Sequence, residues 1–178
     1  LYEIEAENVR DFAFILSSKF DVNKVDSKGV AINTYNLNKK LSKKATEVAK
    51  DSINIFSELF GKYPYKEFSV VASDFFIGGM EYPMLVMIDQ SLYNEKNEFL
   101  LEYVIAHETA HQWWYSAVGN DEISEPWLDE ALTEYSTIVY FEQKYGKDMA
   151  NKLIKTMEIQ TKSYLSENIF KPANEYKN

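Results

Sequence analysis

Alternation of apolar and polar residues marks the first part of the chain as strands. Apolar side chains fall largely on every second position from Val9 to Phe20, and a second short strand is predicted at Val30–Tyr35, after a turn at Ser27–Gly29. Two continuous apolar runs, Phe68–Ala72 and Met84–Ile88, are typical of buried strands. The chain is therefore expected to contain a small sheet.

Spacing of three and four residues predicts helices in the rest of the chain. One helix is expected from Leu41 to Phe60, where Gly61 follows as a stop signal. The apolar run Glu98–Val118 predicts a second helix, a third runs from Ser124 towards Gly146, and a last one covers about 148–165. Strands followed by a block of helices favour the α+β fold class.

The composition is that of an acidic globular domain. The chain has 178 residues, of which 46% are hydrophobic and 15% aromatic, so it can bury a core. Its net charge of −9 argues against nucleic acid and anionic membranes as partners. The lysines of the first predicted helix are interpreted as a solvated face. Absence of cysteine excludes disulfides and thiolate sites.

The termini leave the location of the protein open. No export signal and no membrane segment is visible in the sequence. Because the chain opens at Leu1 and not at a methionine, we expect a fragment of a longer protein with flanking domains. Both a cytoplasmic and an exported location are compatible with this sequence.

The candidate chemistry centres on His107-Glu108-Thr109-Ala110-His111, inside the second predicted helix. Positions i and i+4 lie one above the other on a helix, so His107 and His111 can hold one metal ion. Glu108 lies beside them and can take a proton from a water that the metal activates. The alternative is two core histidines that face the same way.

A third ligand is needed, because a catalytic tetrahedral zinc site uses three protein ligands and keeps one position open. The chain has no further histidine and no cysteine, so a carboxylate must complete the site. Asp129, Glu130 and Glu134 are candidates, since a short loop would place the next helix alongside. Spacing alone does not choose among the three.

A glycine pair lies between two predicted strands, in the segment Ile77–Pro83. Gly78 and Gly79 let another backbone approach closely, and Pro83, which lacks an N–H donor, suits a sheet edge. An extended peptide can add to such an edge through backbone hydrogen bonds. From the residues alone, an ordinary turn that exposes Glu81 is the favoured interpretation.

Three features together resemble the gluzincin aminopeptidases, the family of aminopeptidase N and leukotriene hydrolase. The H-E-x-x-H motif is followed, after eighteen residues, by the glutamate of a W-L-x-E motif, here Trp127–Glu130. A G-x-M-E segment stands upstream at Gly78–Glu81. The resemblance covers roughly residues 5–165 of the chain.

The resemblance implies a thermolysin-like (zincin) α+β catalytic domain. In this fold a small mixed sheet with an antiparallel edge strand packs on helices that include the metal-binding helix. Residues 1–178 would form one such domain, with opening strands at 1–36, a helix and edge-strand region at 37–92 and zinc-site helices at 93–165.

Roles for single residues follow from the same resemblance. It implies one zinc ion on His107, His111 and Glu130, with Glu108 as the general base. Glu134 is a candidate for a hydrogen bond to a zinc ligand. Substrate binding, with a carboxylate that accepts the free α-ammonium of a peptide, is assigned to the edge strand: Gly78, Gly79, Met80 and Glu81. The implied activity removes single residues from the N-terminus of peptides.

Two departures from the family pattern change what we expect of this chain. Tyr82 and Pro83 stand where the family has asparagine, and the family's oxyanion tyrosine lies further downstream than Asn178 reaches. Tyr140 and Tyr164 are interpreted as packing residues. We therefore expect the chain to bind zinc but to hydrolyse peptides poorly, because loss of an oxyanion donor slows such reactions.

Two other functions are compatible with the same motifs. One is hydrolysis of an epoxide or an ester at the same zinc, as in leukotriene hydrolase. The other is a binding module that holds peptide termini without turnover. Hydrolysis of a fluorogenic aminoacyl amide separates turnover from binding.

Overall fold

A computed structural model describes residues 3–37, 39–74, 78–162 and 168–176 of the chain. These residues form a mixed sheet of five strands and four α-helices, so the predicted α+β class is confirmed. The strands are β1 (Asp21–Ser27), β2 (Val30–Asn36), β3 (Glu67–Ser73), β4 (Gly79–Met80) and β5 (Leu85–Asp89). The helices are α1 (Ser42–Phe60), α2 (Glu98–Ala110), α3 (Trp127–Tyr145) and α4 (Lys147–Thr161).

The sheet has the order β1-β2-β3-β5-β4, with β4 at one edge. β1 and β2 form an antiparallel hairpin, in which Lys28 and Gly29 both have positive φ, of 53° and 85°. This is the backbone of a two-residue type I′ turn, whose twist matches that of the strands. β2, β3 and β5 run parallel, and β4 pairs antiparallel with β5. The segment with the glycine pair is thus an edge strand.

The core lies between the sheet and α1, and α2 and α3 complete it. α1 buries one side of the helix at Ala45, Val48, Ser52 and Phe56, whereas Leu59, near the end of the helix, is 46% exposed. The strands add fully buried side chains to the same core: Ile32, Phe68, Val70, Val86 and Ile88. Among the described residues no helix is both long and apolar enough to cross a membrane.

The strand predicted between Val9 and Phe20 is wrong. In the described part of this segment, residues 9–20 form no strand, and the sheet begins at β1. Three alternate apolar side chains point into solvent, with exposures of 54% for Phe12, 70% for Phe14 and 89% for Leu16. Alternation predicts which side chains share a face, but a strand also needs a hydrogen-bonded neighbour, which the sequence pattern does not reveal.

The helix predicted to reach Val118 ends at Ala110. Tight turns follow, in which Gln112 N–H donates to the Thr109 carbonyl over 3.1 Å and Ser116 N–H donates to the His111 carbonyl over 3.0 Å. The apolar composition of residues 111–118 extended the predicted helix beyond its true end, because buried loops can be as apolar as helices. The last predicted helix is described as far as Thr161, and Tyr164 lies outside the described residues.

A buried carboxylate joins α1, α2 and α3. Glu102 on α2, whose side chain is 4% exposed, accepts hydrogen bonds from Lys44 (2.6 Å), Lys144 (2.9 Å), Tyr140 (2.8 Å) and Tyr145 (2.8 Å). Assignment of Lys44 to a solvated face is therefore wrong. Its side chain is only 22% exposed, because it bonds the buried carboxylate of Glu102. The local pattern could not show this contact, since Glu102 lies 58 positions away in sequence. The position of Tyr140 agrees with a packing role.

We expect Glu102→Gln to lower the free energy of unfolding by about 2–3 kcal/mol. An amide leaves two lysines without their counter-charge, although both keep some contact with water, which reduces the cost below that of a fully buried pair. Chemical denaturation measures the effect. The exposed pair Lys28–Glu58 supplies the control, and Glu58→Gln should change stability by less than about 1 kcal/mol.

The pH dependence gives this prediction a second check. Burial alone would raise the pKa of Glu102, but hydrogen bonds from Lys44 and Lys144 outweigh it and hold the pKa below the ordinary 4.5. A depressed carboxyl pKa contributes stability above the unfolded pKa, and that contribution is lost as the pH falls through the folded pKa. The difference between wild type and Glu102→Gln should therefore shrink below pH 4.5. A difference that stays constant down to acid pH would contradict the role of this charge.

Candidate active site

The two histidines lie at the end of α2, which faces the start of α3. The ring centroids of His107 and His111 are 5.0 Å apart, and His111 is the residue that caps the helix, still with helical φ and ψ. The i, i+4 relation therefore survives the early end of the helix. Glu130, in the first turn of α3, places Oε2 at 3.4 Å from His107 Nε2 and 3.9 Å from His111 Nε2.

Hydrogen bonds on the far side of each ring orient both imidazoles. His107 Nδ1 lies 3.1 Å from Glu134 Oε2, and His111 Nδ1 lies 3.1 Å from the Trp114 carbonyl oxygen and from Thr133 Oγ1. A carboxylate and a carbonyl can only accept, so Nδ1 is the protonated nitrogen in each ring. Nε2 of each ring then faces Glu130 and is the nitrogen that a metal ion could use, as in metal-ligating histidines.

The donor set fits a tetrahedral ion. Ligand atoms of His107, His111 and Glu130 all lie within 4.8 Å of one another. Bonds of about 2.0–2.1 Å to a tetrahedral zinc separate neighbouring ligand atoms by about 3.3 Å, close to the 3.4 and 3.9 Å that separate the histidine nitrogens from the carboxylate. Small side-chain adjustments would therefore complete the site.

The structure separates the three carboxylates between which spacing could not choose. Glu130 faces Nε2 of both histidines. Glu134 bonds the other side of His107 and accepts a hydrogen bond from the Tyr103 hydroxyl. Asp129 is buried and accepts from Asn120 Nδ2 over 2.8 Å, and it comes no nearer than 3.9 Å to Nδ1 of His111. Of these three carboxylates, Glu130 is the one that faces Nε2 of both histidines, where it could share an ion with them.

The edge strand touches the motif glutamate. A Cβ atom on Gly79 would lie 2.5 Å from Cδ and 2.6 Å from Cγ of Glu108, closer than real Cβ contacts allow. The side chain of Glu108 is buried, and among the described residues its Oε2 has no hydrogen-bond partner. A buried carboxylate oxygen normally has one. Glycine at this position lets the strand lie directly on the acid that the sequence predicts as the general base.

Glu81 follows this strand and is half-buried, so the alternative of an ordinary exposed carboxylate is wrong. Ligand atoms of Glu81, Glu108 and His111 lie within 4.8 Å of one another. Of the segment Ile77–Pro83, Gly79 and Met80 form β4, Gly78 directly precedes it, and Ile77 lies outside the described residues. The edge strand and the histidine motif therefore form one site.

The carboxyl groups of the site repel one another in a buried place. Burial raises the pKa of Glu108 to about 8, and the charges of Glu81 and Glu130 add to the shift. Burial also raises the pKa of Glu81 to about 7, with Glu130 again contributing. A cation placed among them would be attracted by each of these groups and would return both pKa values towards their ordinary range.

The two histidines differ in charge. Burial lowers the pKa of His111 to about 4, so its ring is neutral at pH 7. Burial also opposes the charged form of His107, but hydrogen bonds to Glu130 and Glu134 outweigh it and raise the pKa to about 10. The proton on His107 takes the place that a metal cation would hold between the imidazole and Glu130.

An apolar cavity of about 580 Å³ opens beside Glu130. Its wall includes Trp127 from α3 and residues of the later segment 168–176: Ile169, Ala173 and Tyr176. Phe170 of that segment packs edge-on against Trp127, with ring centroids 4.9 Å apart. A cavity of this size and character can receive an apolar side chain.

Sequence reasoning missed two residues that shape the site. Tyr103 precedes His107 by one helical turn and bonds Glu134, and Gln112 follows His111 and is fully buried. Both carried a weak signal. Tyr103 shares the helix face of the histidines, and Gln112 is a polar residue inside the aromatic run that follows them.

We expect Gly79→Ala to lower kcat about a hundredfold, because a methyl group at this position must displace the Glu108 side chain or the strand. Steady-state hydrolysis of an aminoacyl amide measures this. Gly29→Ala is the matched control, since it meets nothing within 4 Å and is strained only by its φ of +85°. It should lower stability and leave kcat unchanged. Equal kcat values for Gly79→Ala and wild type would contradict the contact.

Comparison with known proteins agrees with this geometry. Human and mouse Aminopeptidase RNPEPL1 are each 38% identical over 90 residues, which are 49% of this chain and 12% of the relative. Human Endoplasmic reticulum aminopeptidase 1 is 24% identical over 163 residues, 83% of this chain and 17% of the relative. Rice Aminopeptidase M1-B is 31% identical over 100 residues, 51% of this chain and 11% of the relative.

The chain thus spans less than a fifth of the length of these relatives. A family profile, that of the Peptidase family M1 domain, matches residues 44–176. The matched range includes the edge strand, the histidine motif and Glu130, which the fold brings together. The chain belongs to peptidase family M1, the family of gluzincin aminopeptidases that its motifs resemble.

Proposed function

We propose that this chain is the zinc-binding catalytic part of an aminopeptidase, which hydrolyses the first peptide bond of substrates with a free N-terminus. The observation that carries the proposal is the place of Glu81, whose carboxylate lies within 4.8 Å of ligand atoms of Glu108 and His111. Within one residue, the α-nitrogen and the carbonyl carbon are about 2.5 Å apart. An amine held by Glu81 therefore brings the first carbonyl, and no later one, to the histidines.

One zinc ion would be held by His107, His111 and Glu130, the set whose distances fit a tetrahedral ion. When bound, zinc would polarise the scissile carbonyl and lower the pKa of a water to about 7. Two imidazoles and one carboxylate suit zinc better than calcium or magnesium, which prefer oxygen ligands. The Glu134 carboxylate would hold the His107 ring in place through Nδ1 of that ring, and the Trp114 carbonyl would hold the His111 ring in the same way.

Glu108 would move the proton. Its Oε2 has no partner among the described residues, and the carboxylate faces Gly79 on the edge strand, so it lies between the histidines and a peptide bound along that strand. It would accept a proton from the attacking water and deliver it to the leaving amine. Burial raises the pKa of Glu108 to about 8 without a cation, and a cation held by the histidines would lower it, so that the carboxylate would be ionised and able to accept a proton near pH 7.

The edge strand would bind and orient the peptide. β4 pairs with β5 on one side only, and a peptide can pair with the other side. The apolar cavity beside Glu130 would take a side chain of the substrate.

The domain to which these elements belong is proposed to be thermolysin-like, a single catalytic unit within a longer protein. The mixed sheet with an antiparallel edge strand beside the histidine helix supports this arrangement. Relatives that are several times longer support flanking domains.

We expect zinc binding and turnover to separate in two variants. Glu108→Gln should retain zinc and lose hydrolysis by about 10²–10⁴-fold, since an amide is not a base. Glu130→Ala should weaken zinc affinity by more than the roughly 10–100-fold that loss of an outer hydrogen-bond partner costs. Metal analysis and hydrolysis of an aminoacyl amide measure both.

The exposed carboxylate of Glu125 provides the control, and Glu125→Ala should leave zinc content and rate unchanged. Full zinc content in Glu130→Ala would transfer the ligand role to another carboxylate. A wild-type protein that binds peptides and zinc but never turns over would show a binding module and not an enzyme.

We expect Glu81→Ala to reduce kcat/KM for peptides with a free amine by roughly tenfold to a hundredfold, because a charge-assisted contact is worth about 1.5–3 kcal/mol. N-acetylated peptides should be poor substrates for both forms. Glu122→Ala, which removes a charge that acts on Glu81 from a distance, is the control and should have a small effect. Equal cleavage of free and acetylated peptides by wild type would contradict the role of Glu81.

A further inference from the structure

A buried amide connects the histidine motif to the edge strand. Gln112 is the residue after His111, beyond the end of α2, and its side chain is completely shielded from solvent. Burying an amide group is unfavourable unless both its N–H and its C=O find partners. The partners that Gln112 has therefore show why an amide stands here in a run of aromatic residues.

Those partners belong to the chain just after Glu81. Gln112 Nε2 donates to the Tyr82 carbonyl over 3.1 Å, and Gln112 Oε1 accepts from the Met84 N–H over 2.8 Å. Tyr63 Oη also donates to Oε1, over 3.5 Å. Only a side-chain amide offers a donor and an acceptor side by side, so it can bond a carbonyl and an N–H of one turn at the same time.

The turn that Gln112 holds is strained. Leu85 N–H donates to the Tyr82 carbonyl over 3.0 Å, which closes a β-turn with Pro83 in its second position. Met84 takes the third position with a φ of 62°, where this kind of turn normally has glycine. Such a conformation persists only when the surroundings enforce it. Gln112 supplies part of that enforcement, because it bonds the N–H of the strained residue itself.

The geometry therefore links two halves of the site. One end of the link is adjacent to His111, and the other is adjacent to Glu81, which stands directly before the turn. In the described part of the chain, β4 is two residues long and its bonds to β5 lie at Gly79, Met80 and the Gly78 carbonyl, which accepts from the Asp89 N–H over 2.8 Å. All of these lie before Glu81, so the pairing with β5 does not extend to Glu81 itself. The amide bonds hold the turn at a set distance from the histidine motif.

We propose that Gln112 is a positioning residue, which sets the place of Glu81 relative to the histidine site and thereby determines how tightly a free N-terminus binds. This inference rests on the proposed function of Glu81 as the anchor of the substrate amine. Gln112 itself touches neither substrate nor the reacting atoms. Its effect is exerted through the turn at Tyr82–Met84.

Gln112→Met is the variant that tests the link, because it keeps the length and apolar volume of the side chain. It removes both hydrogen bonds to the turn, together with the longer one from Tyr63. In the complete protein it should raise KM for free-amine peptides and lower kcat/KM by about tenfold, while kcat and zinc content change little. Combined with Glu81→Ala, it should add less than about twofold to the loss that Glu81→Ala causes alone, because both variants remove the same interaction.

A measurement without substrate makes the test independent of the proposed function. The Met84 amide should exchange with solvent deuterium at least about tenfold faster in Gln112→Met than in wild type, since its buried acceptor is gone. Trp113→Phe is the matched control. It removes a neighbouring bond, from Trp113 Nε1 to the Gly61 carbonyl (2.8 Å), and should leave both Met84 exchange and KM unchanged.

Relief of the strain should restore binding. Met84→Gly removes the cost of a positive φ, so the double variant Gln112→Met/Met84→Gly should recover several-fold in KM relative to Gln112→Met. If Gln112→Met is too unstable to purify, the double variant is compared with Met84→Gly alone, and the amide of residue 84 should still exchange faster in the double variant. Recovery of KM when Met84→Gly is added to Gln112→Met, with no change of KM when it is added to Trp113→Phe, shows that the turn is the point of action.

The outcomes are distinct. Faster Met84 exchange with a raised KM and a non-additive double variant supports the proposal. Unchanged exchange, or effects of Gln112→Met and Glu81→Ala that multiply fully, overturns it. Faster exchange with no effect of Glu81→Ala on free-amine peptides instead overturns the amine-anchor role of Glu81, and with it the consequence assigned to Gln112.

Discussion

The contact between Gly79 and Glu108 is the constraint on which the rest of the site depends. The edge strand lies so close to the histidine helix that a single methyl group at Gly79 would collide with the glutamate side chain. Because of this approach, the strand that would bind a peptide and the acid that would move its proton are neighbours. The sheet order is consistent with this, because β4 lies at the edge of the sheet and so has one side on which a substrate could pair.

Two buried carboxylates on α2, Glu102 and Glu108, have opposite electrostatic surroundings. Glu102 is neutralised by Lys44 and Lys144 and is further bonded by two tyrosines, so its pKa lies below the ordinary value. Glu108, six residues later on the same helix, has a pKa raised to about 8 and an oxygen without a partner among the described residues. The first arrangement stabilises the packing of three helices. The second leaves Glu108 without a counter-charge of its own, so that it could interact with a bound cation or a substrate.

The early end of α2 is what allows the site to close. Had the helix continued to Val118, as its apolar composition predicts, the residues after His111 would have pointed around the helix axis. Instead the chain turns, and the turns supply the Trp114 carbonyl that orients His111 and the Gln112 amide that holds the Tyr82–Met84 turn. The following loop then returns the chain so that Glu130 faces both histidines.

Much of the design is already present in the sequence. The relation of His107, Glu108 and His111 is local, because positions one and four residues apart on a helix have fixed relative places whatever the rest of the fold does. α1 and the strands β3 and β5 were predictable for the same reason, since each has a period that its own residues display. The motif spacing also indicated the family.

Other features depended on contacts between distant parts of the chain. Spacing could not choose among Asp129, Glu130 and Glu134, whereas the packing of α2 against α3 separates them. It places Glu130 beside Nε2 of His107, Glu134 beside Nδ1 of the same ring, and Asp129 beside Asn120. Lys44 meets Glu102 only because α1 and α2 pack together. Local periodicity reports which side chains share a face, whereas the tertiary structure alone decides what that face meets, and so which carboxylate is paired and which remains free for chemistry.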